Sequence, residues 1–304
     1  MFSKKHFIFG SLIGLVLLFS YFFTLPDGKL HLVFCNVGQG DAAYIRTANN
    51  LDMLIDGGPD DKILSCLGRH MPFYDRTLDV VVLSHPQADH LTGLISVLQR
   101  YRVKNFVIGV IGNNDAKVYK QLIDEVNKKN IPVKHLYTGD NFSLGALKVS
   151  VLWPEKKWVA ENLSFSLSSL SDLGSLSDSR VLGLATDRDL NDFSSYLHLT
   201  YGTFDALFTG DGDSRIQPEI LARAALAKVD VLKFPHHGSK YGALPEFLDQ
   251  VKPALAVISV GKNPWGHPTS EALKLLSDKD IKIKRTDKEG DIEIISDGKT
   301  WWAK

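Results

Sequence analysis

Leu83-Ser84-His85-Pro86-Gln87-Ala88-Asp89-His90 closes an apolar run that begins at Val80, and it sets two imidazoles and a carboxylate within six residues. The run predicts a buried strand that delivers these side chains to a turn. Leu91, Leu94, Ile95 and Leu98 follow at helical spacing and predict an amphipathic helix behind it. Histidine and aspartate together at a strand's end suit a borderline metal such as zinc or manganese. A helix N-terminus capped by Asp89, with two incidental histidines, is the other reading, since aspartate is a favoured cap. The rest of the sequence decides between them.

The chain has 304 residues, with Lys plus Arg and Asp plus Glu at 35 each, so the formal net charge is zero. Bulk charge therefore points to no polyanionic partner, and any contact with nucleic acid must come from a local patch. Cys35 and Cys66 form no metal-binding Cys-x-x-Cys pair. They read as buried free thiols, with a single disulfide as the alternative in an exported domain. At the N-terminus Lys4 and Lys5 precede an uncharged apolar run from Phe7 to Leu25, long enough to cross a bilayer core. Bulky Tyr21-Phe22-Phe23 stands where a cleavable signal would carry small residues. The expected layout is a signal anchor over residues 1–28, a single-pass transmembrane helix with its lysines inside, and an extracytoplasmic domain over 29–304. Secretion after signal cleavage is the alternative.

Within that domain, strands are expected over His31–Phe34, Ala42–Arg46 and Leu51–Ile55, a helix over 60–70, the Val80–Leu83 strand, a strand over Val103–Val110 and a helix over 115–129. This alternation is the signature of α/β layering. Further strands are expected at Leu147–Leu152, in a hairpin about Gly202, at Val229–Phe234 and at Leu255–Val260, with a closing hairpin around Asp297-Gly298. The Ser- and Leu-rich stretch within 162–190 has no clean period and reads as an insertion loop, with low-complexity disorder as the alternative.

Polar residues recur where these strands end. Asp56 follows Met53-Leu54-Ile55, Asp211 follows Phe208-Thr209-Gly210, and His236-His237-Gly238-Ser239 follows Phe234-Pro235. His267 lies beyond Ser259-Val260-Gly261, and Asn191-Asp192-Phe193-Ser194 precedes the hairpin that leads to Asp211. A single histidine or aspartate after a strand is ordinarily a turn residue. Such an explanation must hold separately at every segment, whereas one site along the strand ends explains them all.

In this order the segments resemble a known family. His85-x-Gln87-x-Asp89-His90 is similar to the H-x-H-x-D-H signature of the metallo-β-lactamase superfamily, Asp56-Gly57-Gly58 to its first motif and Thr209-Gly210-Asp211 to its bridging-aspartate motif. Asn36-Val37-Gly38-Gln39-Gly40-Asp41, Asn191-Asp192-x-Ser194, His236-His237-Gly238-Ser239 and Gly266-His267-Pro268 resemble the metallo-β-lactamase domain of ComEC-type DNA-uptake proteins. The resemblance implies a four-layered αββα sandwich with one or two divalent ions, zinc or manganese, along one edge. His85 and Gln87 would belong to one ion, Asp89 and His90 to the other, with Asp211 bridging and His237 as a further ligand. His267 is a ligand or a phosphate contact, Asp56 orients ligands by hydrogen bonds, and Asp41, Asn191, Ser194 and Ser239 support the site.

Two positions depart from the family pattern. Gln87 stands where a histidine or acidic residue is usual, which weakens one metal site, and Asn36 replaces an aspartate. His198 has a mid-strand position that suits packing rather than ligation. The implied chemistry is metal-assisted hydrolysis, with Asp89 and Asp211 orienting water and His236 or His267 protonating the leaving oxygen. A phosphodiesterase or nuclease acting on DNA, tethered beside a competence channel, is the first expectation. Hydrolysis of another ester (a phosphocholine ester or a lactone) and a non-catalytic DNA-binding or scaffold domain are the rivals. Lys233, Lys240 and Lys262 lie near the expected site, as phosphate contacts or as solvated surface.

Overall fold

The computed structural model describes residues 6, 9–16, 27–109, 117–162 and 188–304. Two sheets lie face to face. The first has eight strands in the order Trp301–Ala303, Ile292–Ser296, Leu30–Phe34, Ala43–Arg46, Asp52–Ile55, Val80–Leu83, Phe106–Ile108 and Val133–His135. The second has seven, in the order Lys282–Arg285, Leu255–Ile258, Val231–Lys233, Phe204–Phe208, Tyr196–Tyr201, Leu147–Trp153 and Asn141–Leu144. Each sheet is antiparallel on one side and parallel on the other. Parallel neighbours need crossover helices, which the chain supplies between them.

Three apolar clusters follow the layers. Ile45, Met53 and Val82 of the first sheet meet Val149, Leu199 and Val257 of the second between the sheets. The opposite face of the first sheet, with Tyr44, Leu54 and Val81, packs on helices Lys62–His70, Ala88–Arg100 and Lys117–Lys128 through Leu67, Leu94 and Leu122. The outer face of the second sheet, with Leu232 and Ala256, packs on helices Gln217–Arg223, Pro245–Val251 and Ser270–Asp278 through Ile220, Phe247 and Leu276. Both faces of the central strands are thus covered, which is why Val80-Val81-Val82-Leu83 reads as a continuous apolar run. The layers run helix, sheet, sheet, helix.

Backbone contact fixes the helix Ala88–Arg100 against the loops beside it. A Cβ on Gly93 would lie 2.0 Å from the Gly57 carbonyl, and one on Gly40 would lie 2.2 Å from the Asp89 carbonyl. Only glycine allows either approach. Gly57 N donates to His90 O at 2.7 Å and Asp41 N to Asp89 O at 3.2 Å. The Asp56 and Asp41 segments are therefore held at the helix turn that bears Asp89 and His90.

The free-thiol expectation is overturned. Cys35 and Cys66 form a disulfide that ties the end of strand Leu30–Phe34 to helix Lys62–His70. Both residues sit in the cluster between the first sheet and its helices, with Cα atoms 5.8 Å apart. That separation suits a bridge, and a sequence gap of 31 residues conceals it. No helix among the described residues is long and apolar enough to cross a membrane. The expected span over Phe7–Leu25 falls largely outside them, with residues 9–16 helical and exposed. The Ser- and Leu-rich insertion also lies outside them, over residues 163–187.

Candidate metal centre

Asp89, His90, Asp211 and His237 each offer a ligand atom, and all of these atoms lie within 4.8 Å of one another. Three separate pieces of local structure bring them together. Gln87 caps the helix Ala88–Arg100 through its backbone, its carbonyl accepting from His90 N and Leu91 N at 3.0 Å, so Asp89 and His90 fall in the first turn. Asp211 follows strand Phe204–Phe208 and is steadied by its own amide donating to Ser194 Oγ at 3.1 Å. His237 follows strand Val231–Lys233 in a tight turn where both His236 and His237 take positive φ, 50° and 52°. A non-glycine residue is uncommon in that region, and two in succession mark a constrained loop at a functional position.

Partners on Nδ1 turn the ring nitrogens. His90 Nδ1 lies 2.9 Å from Asp56 Oδ2, and His237 Nδ1 donates to the Ser259 carbonyl at 2.9 Å. Each histidine thereby presents Nε2 to the cluster. His90 Nε2 is 3.4 Å and His237 Nε2 is 3.2 Å from Asp211 Oδ2, and His237 Nε2 is 3.3 Å from Asp89 Oδ2. A second partner that fixes the tautomer is what metal-ligating histidines characteristically have. Asp56 is itself held by Ser84, whose amide and hydroxyl both donate to it at 2.7 Å. His85 follows at once; its Nε2 is buried without a hydrogen-bond partner, and its ring centroid is 4.1 Å from that of His90.

The electrostatics suit a cation. Asp41, Asp56, Asp89 and Asp211 bring four carboxylates into this corner against one lysine, Lys233, so with neutral imidazoles the formal charge is 1 − 4 = −3. Burial alone would depress the His90 and His237 pKa values. The carboxylates of Asp211 and Asp56 instead raise His90, and those of Asp211 and Asp41 raise His237. Burial likewise opposes ionisation of Asp211, yet His237, His90 and Lys233 hold it well below the usual range. His85 lacks a comparable partner, and burial with His90 beside it pushes its pKa down to about 3. A neutral buried imidazole with an orphaned Nε2 is a ligand in waiting. The donor set of two imidazoles and two carboxylates fits a zinc or manganese ion.

No protein-family model matches the chain. It is 28% identical to ComE operon protein 3 of Bacillus subtilis over 91% of its own length and 34% of that protein. It is 25% identical to competence protein ComA of Neisseria gonorrhoeae over 89% of its length and 33% of that protein. The chain thus spans about a third of these relatives. Among solved structures, the metallo-β-lactamase fold protein YhfI of Bacillus subtilis superposes with a TM-score of 0.51 at 12% identity, covering 91% of this chain and 100% of that one. The chain is a metallo-β-lactamase-fold homologue of the competence proteins.

The metallo-β-lactamase fold leaves several expected residues outside the four-ligand group. Gln87 makes no side-chain capping bond, and its backbone carbonyl is what His90 N and Leu91 N bond to. Asn191 is buried with Oδ1 unpartnered, on a segment joined to the site where Ser195 N donates to Ser84 O at 3.0 Å. Ser239 works within its own loop, accepting from Tyr241 N. His236 is half-exposed at the mouth, its Nδ1 3.1 Å from Asp213 Oδ2, and its ring lies 5.7 Å from that of His267. His198 faces Asp205 on its strand pair, at 2.9 Å, and not the cluster.

Two functional contacts escaped the sequence reading. Lys233 is no surface phosphate contact: it is 3% exposed, donates to Gly210 O at 2.9 Å, lies 3.4 Å from Asp211 Oδ1 and pairs with Asp41. Its place as the polar residue in Val231-Leu232-Lys233-Phe234 was the available signal, because a lysine inside a buried strand needs a carboxylate partner. Asp213, which holds both His236 and the guanidinium of Arg215, had no signal beyond the spacing Asp211-Gly212-Asp213.

Proposed function

We propose that this chain is a metal-dependent hydrolase of phosphodiesters, a nuclease acting on DNA outside the cytoplasmic membrane in a DNA-uptake role. The observation that carries the reading is the convergence of Asp89, His90, Asp211 and His237 with both histidine Nε2 atoms turned inward. A divalent ion, zinc or manganese, supplies Lewis acidity toward a phosphoryl oxygen and toward water. Asp89, with 30% of its side chain exposed, reaches the mouth and orients water, while buried Asp211 bridges the ligands. Asp213 anchors His236 at Nδ1, leaving Nε2 to pass a proton to the leaving oxygen. Lys233 neutralises part of the carboxylate charge and keeps Asp41 and Asp211 in place.

The DNA-uptake role is supported by the competence-protein relatives. Placement outside the membrane is supported by the Cys35–Cys66 disulfide, since such bonds persist in oxidising compartments; residues 1–28 as anchor and 29–304 as the hydrolase domain complete the proposed layout. The test is metal analysis of the purified chain with hydrolysis of bis-p-nitrophenyl phosphate and of DNA. Metal-dependent turnover of both is expected. A chain that retains no metal and cleaves no ester after metal addition would leave the non-catalytic reading in its place, and turnover of lactones or phosphocholine esters alone would move the substrate class.

A further inference from the structure

A line of rings runs outward from the metal cluster to the surface. The His237 ring lies 5.6 Å from that of His90 and 6.4 Å from that of His236. His236 lies 5.7 Å from His267, and His267 lies 6.3 Å from Trp265. The line ends on an indole that is 65% exposed, beside a second loop whose Tyr241 is 58% exposed. The two loops abut, with Thr269 N donating to Gly238 O at 2.9 Å, and a Cβ on Gly238 would lie 2.4 Å from Pro268.

Trp265 is held there by design of the loop and not by chance of packing. Asn263 uses its whole side chain on the turn. Its Oδ1 accepts from Trp265 N at 3.1 Å and His267 N at 3.0 Å, and its Nδ2 donates to Gly261 O at 2.9 Å and His267 O at 2.8 Å. On the other loop Tyr241 N donates to Ser239 Oγ, Ser214 N donates to the Tyr241 carbonyl, and Lys240 Nζ stands 4.7 Å from the Tyr241 ring centroid. Leaving an indole and a phenol in water forgoes the burial free energy that large aromatics ordinarily gain. A fixed backbone beneath them means that their faces are offered ready-placed to a ligand.

We infer that Trp265, with Tyr241, is a base-stacking subsite that gives the metal centre a preference for single-stranded nucleic acid. This deepens the nuclease reading and rests on it. An exposed aromatic face beside a phosphodiester-cleaving site suits a flat unpaired base, and every base has such a face. A duplex hides its base faces within the stack, so the subsite rewards a single strand or a frayed end. Lys240 beside the Tyr241 ring and Lys262 on the Trp265 loop are exposed cations that meet the backbone of the same strand.

The experiment reads binding by the metal-loaded chain to a labelled phosphorothioate oligothymidylate, chosen to resist cleavage, by anisotropy. An abasic oligomer of equal length and a blunt duplex are run beside it. W265A should weaken oligothymidylate binding about tenfold or more, W265F should stay within about threefold of wild type, and the abasic oligomer should not distinguish the three proteins. Wild type should also bind the oligothymidylate more tightly than the duplex. Equal binding of oligothymidylate by W265A and wild type, an equal loss on the abasic oligomer, a preference for duplex, or no binding at all would each overturn the inference. Failure of the hydrolase reading shows separately, as absent turnover of bis-p-nitrophenyl phosphate by the same preparation.

Discussion

Asp89, His90, Asp211 and His237 contrast with their neighbour His85. In the first group each histidine has Nδ1 engaged, by Asp56 or by the Ser259 carbonyl, and the ligand atoms converge within 4.8 Å. His85 has only the Ser84 hydroxyl at Nδ1, its Nε2 makes no hydrogen bond, as at His90, and it stands outside the convergent group, with the neutral Gln87 two residues further on. Asn191, with its own orphaned Oδ1, stands on the adjoining segment. One corner is a closed ligand set with its supports in place; the other is short of donors. The difference teaches that one ion should bind far more tightly than a second.

The largest expected effect tests the complete corner. His90→Ala or Asp211→Ala should remove tightly bound metal and lower hydrolysis by more than about a hundredfold, because each takes away a ligand and leaves buried charge unbalanced. His85→Ala should retain the first equivalent of metal. Metal analysis and circular dichroism on the same samples check both, and equal metal loss from all three variants would erase the contrast. The next effect is smaller. Asp56→Asn should lower metal affinity about 10- to 100-fold by loosening His90, measured by competition with a chelating dye. Unchanged affinity would mean that Asp56 serves folding alone. Gln87→Asp then addresses the sparse corner and should raise bound metal toward a second equivalent. A wild-type chain that already holds two ions would show that Gln87 leaves nothing unfilled.

The same contrast explains what the sequence revealed. Strand ends followed by Asp56, His85 to His90, Asp211 and His236-His237 were legible because these polar residues sit at the ends of apolar runs; α/β layering followed from the alternation of elements, whereas the four-layered sandwich with its site along one edge came from the family resemblance. Gln87 stood out as a neutral residue in a charged motif. The disulfide was not legible, since two cysteines 31 residues apart carry no pairing signal until a helix packs on the sheet. Lys233 was misjudged although its apolar neighbours marked it as buried, because its partners, Asp41 and Asp211, come from other strand ends. Asp213 was hidden for the same reason: its contact with His236 exists only after two strands of the second sheet lie side by side.

The smallest expected effect lies outside both corners and calibrates them. His31, on the strand whose far end leads to the Asp41 loop, lies 2.8 Å from Glu293 and 3.0 Å from Asp27. The bond to Glu293 raises its pKa above the ordinary 6.5, against the opposing effect of burial, and Asp27 adds to the rise. A group whose folded pKa is raised contributes stability that is fully present below the unfolded value and lost as pH climbs through the folded one. His31→Gln should therefore lower the urea midpoint more at about pH 5.5 than at about pH 9, and only modestly, because the pair is partly exposed to solvent. Metal content should not change. A pH-independent difference would assign the loss to packing, and a loss of metal would mean that the strand transmits disturbance to the site. In that case the contrast between the two corners would have to be reread as one of rigidity rather than of donors.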